Sequence, residues 1–566
     1  MQKMPLITFV TANITSQNLQ ELASAGIQLC VYNKEQGHEE WANTTAKMMK
    51  LSTHFIKTIC DRIKYTLPQH RNLEKDTESH LLQINSNYEY MKDAIEKNVW
   101  NSTHFAWIDP NIFDVFKDKV ASKEYLRILS QRTLNPHFFA IPGCWNKMDT
   151  EASVDSVNWR FCGGFYIGDK SSVMDFCLLC ERHFPQYILA SKCLTWDINF
   201  WAWLEFTTKW SPTWYSADHN DSIIRIPAAF YAIQLYQTPS FTKTVYSYPK
   251  IDSIYDSYAP SSASYVRFNG EHILNTRFIN YVLTDVGYYL FNHPENIIIT
   301  KNMVSVLDEK TFIPKNYHVM NDDTVNLPKT VYPDNNPCKI YGLEDVRLYE
   351  SNGKIRFIAT NRNYAPQMDT NRMIIGDYDI DTHSYINCQI VEPPQNTWCE
   401  KNWTPIIGDE FSQNVQFIYK WSPMEIGEVR GPNSVDGSRR SLDIVQTYQN
   451  TIYAPDFYRV RGSSVFTLYN RADYLLGVVH FSEEKTPREY FHILVALDKN
   501  TFKPVRYSQT FCFQGIGIEF CTGFCIESYA TATEHDKYIF WVSQMDRAPA
   551  MISIDSGELP LCFEFI

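Results

Sequence analysis

The stretch FAWID, residues 105–109, decides the fold of the first part of the chain. Four apolar residues end in an acid, which is the pattern of a short buried strand with a polar group at its carboxyl end. Similar strand-like stretches lie on both sides of it along the chain: LITFVTANI (6–14), GIQLCVYN (26–33) and FCGGFYIG (161–168). We therefore expect several short buried strands in this region.

Helix-like segments separate these strands. We predict helices over residues 18–25, 39–65, 76–98 and 171–183. Strands that alternate with helices are typical of an α/β sheet with a mostly parallel core. Residues 1–245 are therefore predicted to form one α/β, Rossmann-type domain.

The pattern changes after about residue 260, where helical periods become rare. Short strands separated by turns follow one another, as in KIRFIATNRNY (354–364), RMIIGDYDI (372–380) and YFHILVALD (490–498). About 300 residues of evenly spaced short strands favour a β-propeller over a sandwich. We predict an all-β five-bladed β-propeller over 263–566, joined to the first domain by a Ser/Tyr/Pro-rich linker at 246–262.

The composition excludes several classes of protein. Of the 566 residues, 44% are hydrophobic and 20% are charged, which is typical of a globular protein and not of a disordered one. The net charge of −12 argues against an open nucleic-acid-binding surface, which needs a dense basic face. Neither a membrane-spanning segment nor a cleaved signal peptide is indicated. We expect a cytoplasmic protein, or one of the host cytoplasm if a large virus encodes it.

Asp109 is the first candidate for chemistry. In open α/β sheets ligands bind at the carboxyl ends of the strands. A carboxylate there could hold a divalent cation that bridges a sugar-nucleotide diphosphate. Because Pro110 follows, capping of the next short segment explains the same acid equally well.

Two further segments carry ligand-type or acid residues. Asp197 opens a predicted helix among aromatic residues, where desolvation could make it a general base. The alternative is an acid that complements the helix dipole. The loop 218–221, Asp-His-Asn-Asp, could bind a cation through His219, or it could be an ordinary solvated loop.

In this order, LITFVTANI, FAWIDPNIF, FCGGFYIGDKSSVMDFCLLCERHF, LTWDINFWAWLE and PTWYSADHNDS resemble the HtrL/YibB-type family of glycosyltransferases over residues 5–230. The resemblance implies a GT-A-like fold, a nucleotide-sugar donor and a divalent metal such as Mn²⁺. It implies Asp109 and His219 as metal ligands, Asp197 as the catalytic base, and a sugar pocket flanked by Gly163, Gly164 and Asp169. The sequence Ile-Asp-Pro departs from the usual DxD motif of such enzymes.

The strongest motif of the second part is GLEDVRL, residues 342–348. Two acids and an arginine at the start of a blade point toward a central funnel. The aspartate could act as general acid or base while Arg347 binds an anion. Other basic residues from separate stretches could face the same funnel and form a cradle for phosphate or a nucleotide diphosphate, namely Lys401, Arg459, Arg461 and His480. Alternatively, each of them pairs with a neighbouring acid in an exposed loop.

The same motif, with EKNWTP (400–405), RGSS (461–464) and IEFCTGF (518–524), resembles the five-bladed propeller of family 130 mannoside phosphorylases and related mannosyltransferase/phosphorylases. Val346 replaces the proline of that family's signature. The resemblance covers about residues 260–560 and implies Asp345 as the acid/base, with Glu344 beside it. It implies Lys401, Arg461 and His480 as phosphate ligands, and no cofactor in the propeller.

The two resemblances together predict a bifunctional glycosyltransferase. One activity per domain would transfer sugars from nucleotide-sugar donors to a glycan or glycoprotein acceptor. Two alternatives remain open from the sequence. One is a single glycosyltransferase with a glycan-binding propeller, and the other is a glycoside phosphorylase.

Overall fold

The computed structural model describes residues 6–33, 45–51, 53–150, 153–251, 253, 257–332, 339–365, 370–407, 415–432, 437–449, 457–469, 473–515, 517–528 and 536–565. The chain divides into two compact units, unit 1 (1–231) and unit 2 (232–566). Across these ranges, no helix is both long enough and apolar enough to cross a membrane.

Unit 1 is built on a seven-stranded mixed sheet. Its strands are β1 (Ile7–Ala12), β2 (Gln28–Tyr32), β3 (Ala46–Met49), β4 (His104–Ile108), β5 (Phe139–Gly143), β6 (Phe165–Asp169) and β7 (Thr213–Ser216). Their order across the sheet is β3-β2-β1-β4-β6-β5-β7. Strand β6 runs antiparallel to β4 and β5, and the other pairs are parallel. The predicted α/β organisation with a mostly parallel core is therefore present.

Within the described residues, seven α-helices accompany the sheet. They are α1 (Ser16–Ser24), α2 (Phe55–Cys60), α3 (Glu78–Asn85), α4 (Asn87–Lys97), α5 (Lys119–Gln131), α6 (Lys170–Ser191) and α7 (Asp197–Thr207). Helix α6 buries the stripe Val173, Phe176, Cys177, Cys180 and Phe184 in the core, as its helical spacing requires. The predicted helix over 39–65 is wrong, because its described part contains strand β3 and only the short helix α2. Residues 39–44 of that prediction lie outside the described residues.

Unit 2 consists mainly of strands that fall into five successive antiparallel groups. Group one contains β10 (Ala259–Phe268), β11 (Glu271–Ile279), β14 (Ile298–Leu307) and β15 (His318–Val319), with β16 (Ile340–Tyr341) beside β14 and a separate hairpin of β12 (Tyr281–Leu283) and β13 (Tyr289–Phe291). Group two contains β17 (Glu344–Ser351), β18 (Lys354–Asn361), β19 (Arg372–Asp379) and β20 (Ser384–Glu392). Group three contains β21 (Thr404–Ile406), β22 (Gln416–Trp421), β23 (Met424–Pro432) and β24 (Arg439–Tyr448).

The last two groups use strands from both ends of unit 2. Group four contains β25 (Arg461–Gly462), β26 (Thr467–Tyr469), β27 (Tyr474–Glu483), β28 (Glu489–Asp498), β29 (Pro504–Tyr507), β30 (Phe511–Cys512) and β34 (Phe563–Glu564), with β8 (Ile233–Gln234) against β30. Group five contains β31 (Glu519–Glu527), β32 (Lys537–Gln544) and β33 (Arg547–Asp555). Its fourth strand is β9 (Thr242–Val245), which precedes group one in the chain and pairs antiparallel with β33.

The five groups are arranged so that the first and the last are neighbours. The first strand of group one, β10, packs against the first strand of group two, β17, and against the first strand of group five, β31. Groups two and three are continuous because β20 and β24 pair in parallel.

The units do not divide where the sequence indicated. Strands β8 and β9, within the range predicted for the first domain, pair with β30 and β33 of unit 2. In the predicted linker 246–262, Tyr246 is buried and bonds through its hydroxyl to the carbonyl oxygen of Phe312 at 2.8 Å. Aromatic side chains that a solvated linker would expose thus contribute to the core of unit 2.

Candidate functional site

In unit 1, all of the candidate residues except Asp169 lie at one edge of the sheet. The parallel strands β4, β5 and β7 end at this edge, and the antiparallel strand β6 begins there. Asp109 follows β4, and Gly163 and Gly164 precede β6. Asp197 is the first residue of α7. The edge is the place where an open α/β sheet binds its ligand.

The two glycines bring Asp109 and Asp197 to the same place. The backbone N–H of Asp109 donates to the carbonyl oxygen of Gly164 at 2.9 Å. A Cβ atom on Gly163 would lie 3.2 Å from both carboxylate oxygens of Asp197. This spacing is tighter than ordinary van der Waals contact, so the chain passes Asp197 closely because residue 163 has no side chain.

The two carboxyl groups influence each other. Burial and, to a smaller extent, the nearby charge of Asp109 together raise the pKa of Asp197 to about 7. Asn87 Nδ2 donates to Asp197 Oδ2 at 2.9 Å and fixes the carboxyl group. Burial also raises the pKa of Asp109. A buried carboxyl group that titrates near neutral pH is suited to proton transfer.

Asp109 takes part in a turn and still keeps one oxygen available. Its Oδ1 accepts the backbone N–H of Asn111 at 2.8 Å, a turn that leads into the short 3-10 helix Ile112–Asp114, whose N-cap is Asn111 rather than Asp109. No residue within the described ranges donates a hydrogen bond to its Oδ2. This oxygen is of the type that a hard divalent cation prefers, and metal binding at Asp109 stays a prediction.

Asp169 lies away from this edge. It ends β6, opposite His104 at the start of β4, whereas Gly164 precedes β6 at the other end. Five residues of extended chain separate the two positions by about 16 Å. Asp169 caps α6 by accepting the N–H groups of Ser171 and Ser172 at 3.0 and 3.1 Å. Its predicted place beside the sugar pocket is thus incorrect, because the residue marks the start of a helix.

His219 follows β7 at the same edge and has neighbours of its own. Its Nδ1 lies 3.9 Å from Cys144 Sγ and 3.6 Å from Asp218 Oδ1. The ring of Trp159 meets the imidazole edge-on, with 4.2 Å between ring centroids. The assignment of His219 and Asp109 to one Mn²⁺ ion stays a prediction.

In unit 2, the acids of the GLEDVRL motif form a cluster with two cations. Arg277 on β11 bonds through Nη1 to Asp345 Oδ1 at 3.0 Å and lies 3.7 Å from Glu344 Oε2 through Nη2. Lys401 Nζ lies 3.6 Å from the same Glu344 oxygen. The cluster therefore joins strand groups one and two with the residues that lead into group three.

Asp345 is held as a carboxylate. Burial by itself would raise its pKa, but the positive charges of Arg277, Lys401 and Arg347 outweigh burial, and the pKa is lowered from its ordinary value. The residue also has a φ of +52°, a left-handed conformation that is rare for an aspartate inside a strand. Strained backbone of this kind concentrates at functional sites, where the surrounding structure maintains it.

Arg347 does not have the role that the sequence indicated. It is completely buried, and its donors are occupied by groups of the protein. Nε donates to the carbonyl oxygen of Ser463 at 2.6 Å, Nη2 to Asn402 Oδ1 at 2.9 Å, and Nη1 to the backbone oxygen of Asp345 at 3.3 Å. We conclude that Arg347 positions three segments of the site rather than binding an anion from solution.

The other basic candidates separate into different roles. Arg461 on β25 is exposed and lies opposite His480 of β27. His480 is buried, and burial lowers its pKa well below the ordinary value, so it is a neutral imidazole rather than a cation. Its Nδ1 lies 2.7 Å from Ser463 Oγ. Arg459 pairs with Glu483 at 3.3 Å and packs over the ring of Phe481, which places it outside the cluster.

Three residues of this site were not found from the sequence: Arg277, Asp546 and Tyr281. Tyr281 donates its hydroxyl hydrogen to Asp546 Oδ2 at 3.0 Å. Burial raises the pKa of Asp546, and the negative charge of Asp345 raises it further against the effect of Arg277. Asp546 lies in the β32–β33 turn, so strand groups one, two and five supply residues to the cluster, together with Lys401, which precedes group three. No short motif marks these positions, so pattern reading could not have found them.

Comparison with known proteins gives the following. No protein-family model matches the chain, and no curated protein sequence matches it. Among the similar solved structures is a β-1,2-mannobiose phosphorylase from Listeria innocua, which is 11% identical, covers 56% of this chain and 97% of its own, and has a TM-score of 0.34. A GDP-Man-dependent mannosyltransferase from Leishmania mexicana is 13% identical, covers 53% of this chain and 86% of its own, and has a TM-score of 0.32. A glycosyl hydrolase from Bacteroides ovatus is 9% identical, covers 55% of this chain and 88% of its own, and has a TM-score of 0.35. With TM-scores below 0.5, these likenesses assign this chain neither a fold nor an activity.

Proposed function

We propose that the chain is a carbohydrate-active enzyme whose unit 2 is a five-bladed β-propeller that transfers a glycosyl group. The carrying observation is the carboxylate of Asp345, kept ionised by Arg277 at 3.0 Å and by the nearby charge of Lys401. The five strand groups support a propeller. Strand β9 comes before group one in the chain but completes group five, so the first and last blades would be joined and the ring closed.

The proposed chemistry uses Asp345 as a general base. An acceptor hydroxyl gives its proton to Asp345, its oxygen forms the new bond to the anomeric carbon, and the bond from that carbon to the phosphate oxygen breaks. Lys401 and Arg461 would neutralise the departing phosphate. A lowered pKa suits a base better than an acid, so it supports synthesis over phosphorolysis, where the same group would have to start protonated.

Unit 1 supplies the second transferase of the proposal. Its mixed sheet and the carboxylate pair at the carboxyl edge support a GT-A-like domain with a nucleotide-sugar donor. Asp109 would contribute a ligand to Mn²⁺, which would neutralise the donor's diphosphate. Asp197, with a pKa raised to about 7, would accept the proton of the acceptor hydroxyl. The chain would thus be a bifunctional glycosyltransferase acting on a glycan or glycoprotein.

The test uses the full chain and three single variants. A panel of nucleotide sugars is incubated with simple glycan acceptors, with and without Mn²⁺, and release of nucleoside diphosphate and transfer of sugar are measured. Asp109→Asn and Asp345→Asn should each abolish a different transfer. Asp473→Asn, which changes an acid 86% exposed and paired with Lys499, is the matched control and should keep both.

The two alternatives give other results. If Asp345→Asn keeps every transfer and weakens only glycan binding, unit 2 is a binding module. If the full chain releases a sugar 1-phosphate from an oligosaccharide in phosphate buffer without any nucleotide, it is a glycoside phosphorylase. Either result would overturn the bifunctional proposal.

A further inference from the structure

We propose that Cys144, Asp218 and His219 bind a divalent zinc-class cation at the carboxyl edge of the unit 1 sheet. The three ligand atoms all lie within 4.8 Å of one another. Cys144 Sγ is 3.9 Å from His219 Nδ1, which is 3.6 Å from Asp218 Oδ1. The set contains neither Asp109 nor Asp197 and does not rest on the proposed function; it assigns His219 to this cation rather than to the Mn²⁺ ion predicted at Asp109.

The topology of the sheet explains why these residues meet. Strands β5 and β7 are adjacent and parallel, and Gly143 at the end of β5 is in register with Ser216 at the end of β7. The N–H of Ala217 donates to the carbonyl oxygen of Gly143 at 2.9 Å, so the pairing continues past both strands. The residues that follow, Cys144 on one side and Asp218 and His219 on the other, are therefore held side by side.

Two of the three ligand distances are close to those around a tetrahedral zinc ion, and the third is within 4.8 Å. With Zn–S near 2.3 Å and Zn–N or Zn–O near 2.0–2.1 Å, neighbouring ligand atoms of a tetrahedron are separated by roughly 3.4–3.6 Å. The observed 3.6 and 3.9 Å differ from this by a few tenths of an ångström. Small side-chain rotations would close the set around an ion.

Other residues hold the ligands in these orientations. Trp159 serves two of them: its carbonyl oxygen accepts the N–H of Cys144 at 3.0 Å, and its ring packs edge-on against His219. Ser222 Oγ accepts the N–H of Asp218 at 2.9 Å. Such supporting contacts are characteristic of metal sites, where outer residues orient the ligands.

The mixture of ligand types decides the metal. A thiolate with an imidazole and one carboxylate favours Zn²⁺ over Mn²⁺ or Mg²⁺, which prefer oxygen. Asp218 and His219 are exposed, so the fourth position faces solvent and would take water. Cys162 Sγ lies 3.7 Å from Cys144 Sγ, so oxidation of the two thiols to a disulfide would compete with binding.

Cobalt provides the direct test, because a thiolate bound to Co²⁺ gives a charge-transfer absorption band. The reduced, metal-free full chain is titrated with Co²⁺ and then with Zn²⁺, and bound zinc is quantified by mass spectrometry. We expect one equivalent of tightly bound metal and a thiolate band that Zn²⁺ abolishes. Cys144→Ser should remove the band, and His219→Ala should weaken binding at least tenfold.

Two controls separate this site from others. Cys193→Ser changes a buried thiol two residues after the end of α6 and should keep the band. Asp109→Asn should also keep it, so failure of the proposed Mn²⁺ site cannot be mistaken for failure of this one. The proposal is overturned if no thiolate band forms or if Cys144→Ser binds Zn²⁺ as tightly as the wild type. It is also overturned if Cys144 and Cys162 are isolated as a disulfide and the protein binds no metal once that disulfide is reduced.

Discussion

Asp345 and Asp546 are two carboxyl groups of one cluster whose pKa values move in opposite directions. Arg277 bonds directly to Asp345, so the positive charges there outweigh burial. Asp546 has a tyrosine hydroxyl as its partner instead, and burial dominates. Groups whose pKa values are driven apart in this way can divide base and acid roles between them.

Arg277→Gln should move the pH dependence of the unit 2 activity. Removing the guanidinium takes away the main force that lowers the pKa of Asp345, so that pKa rises toward and above its ordinary value. The acidic limb of the kcat/KM profile should therefore shift to higher pH. The variant should lose less activity on the alkaline side of the profile than on the acidic side. Arg506→Gln, at an exposed pair with Glu564, should leave the limb in place. An unshifted limb in Arg277→Gln would show that Asp345 is not the base.

Asp197 should make the stability of unit 1 depend on pH. Its folded pKa of about 7 lies above its ordinary value of 3.8, so folding favours the protonated form. The stabilisation is complete below about pH 4 and is lost as the pH rises toward 7, by about 1.4 kcal/mol for each unit of pKa displacement. Asp197→Asn has no carboxyl group at this position, so its free energy of unfolding should not fall in this way as the pH rises. Urea unfolding should show that the free energy of unfolding of Asp197→Asn, relative to that of the wild type, is higher at pH 8 than at pH 5. The same difference between the two proteins at both pH values would contradict the raised pKa.

At the scale of elements, the start of β17 depends on Gly342. This residue has a φ of +92°, and a Cβ there would lie 2.1 Å from the carbonyl oxygen of Thr300 on β14. Gly342→Ala must therefore shift the backbone just before Glu344 and Asp345. We expect it to lower the free energy of unfolding by more than the roughly 1–2 kcal/mol of left-handed strain alone, and to reduce unit 2 activity.

Gly353→Ala is the matched control for this change. Gly353 also has a positive φ, +65°, but a Cβ at this turn meets nothing within 4 Å. It should show the strain cost without loss of activity. Equal destabilisation by the two variants, measured by urea unfolding, would mean that the contact with Thr300 relaxes easily.

Sequence patterns predicted elements well where one local signal dominated. The apolar stripe of α6 and the strand FAWID before Asp109 are both present. The helix over 39–65 failed because β3 pairs with β2, and this non-local pairing overrides helical propensity.

Site residues followed the same rule. Glu344 and Asp345 share a contiguous motif and could be found, whereas Arg277 and Asp546 come from other strand groups without any motif. The role of Arg347 was hidden because its partners include backbone oxygens more than 100 residues away.

At the scale of the whole molecule, the chain segment 232–245 belongs to unit 2 although it precedes strand group one in the chain and joins groups four and five. Strand β9 covers β33 through the pairs Thr242 with Ser553 and Val245 with Ala550. Nearby, Ser240 bonds to Glu558 through its N–H at 3.1 Å and its hydroxyl at 2.6 Å. Without this segment β33 would become an exposed edge, which invites pairing with other chains.

Two fragments should therefore differ in a defined way. Residues 232–566 should be monomeric and unfold cooperatively, whereas residues 249–566, cut inside the segment that the sequence marked as a linker, should aggregate or unfold at a clearly lower urea concentration. Adding a peptide of residues 232–248 should raise the midpoint of the shorter fragment, because it restores β8 and β9, and a scrambled peptide should not. Size-exclusion chromatography and urea unfolding make the comparison. Should the two fragments prove equally monomeric and stable, β9 does not close unit 2, and the propeller proposed for it loses its main support.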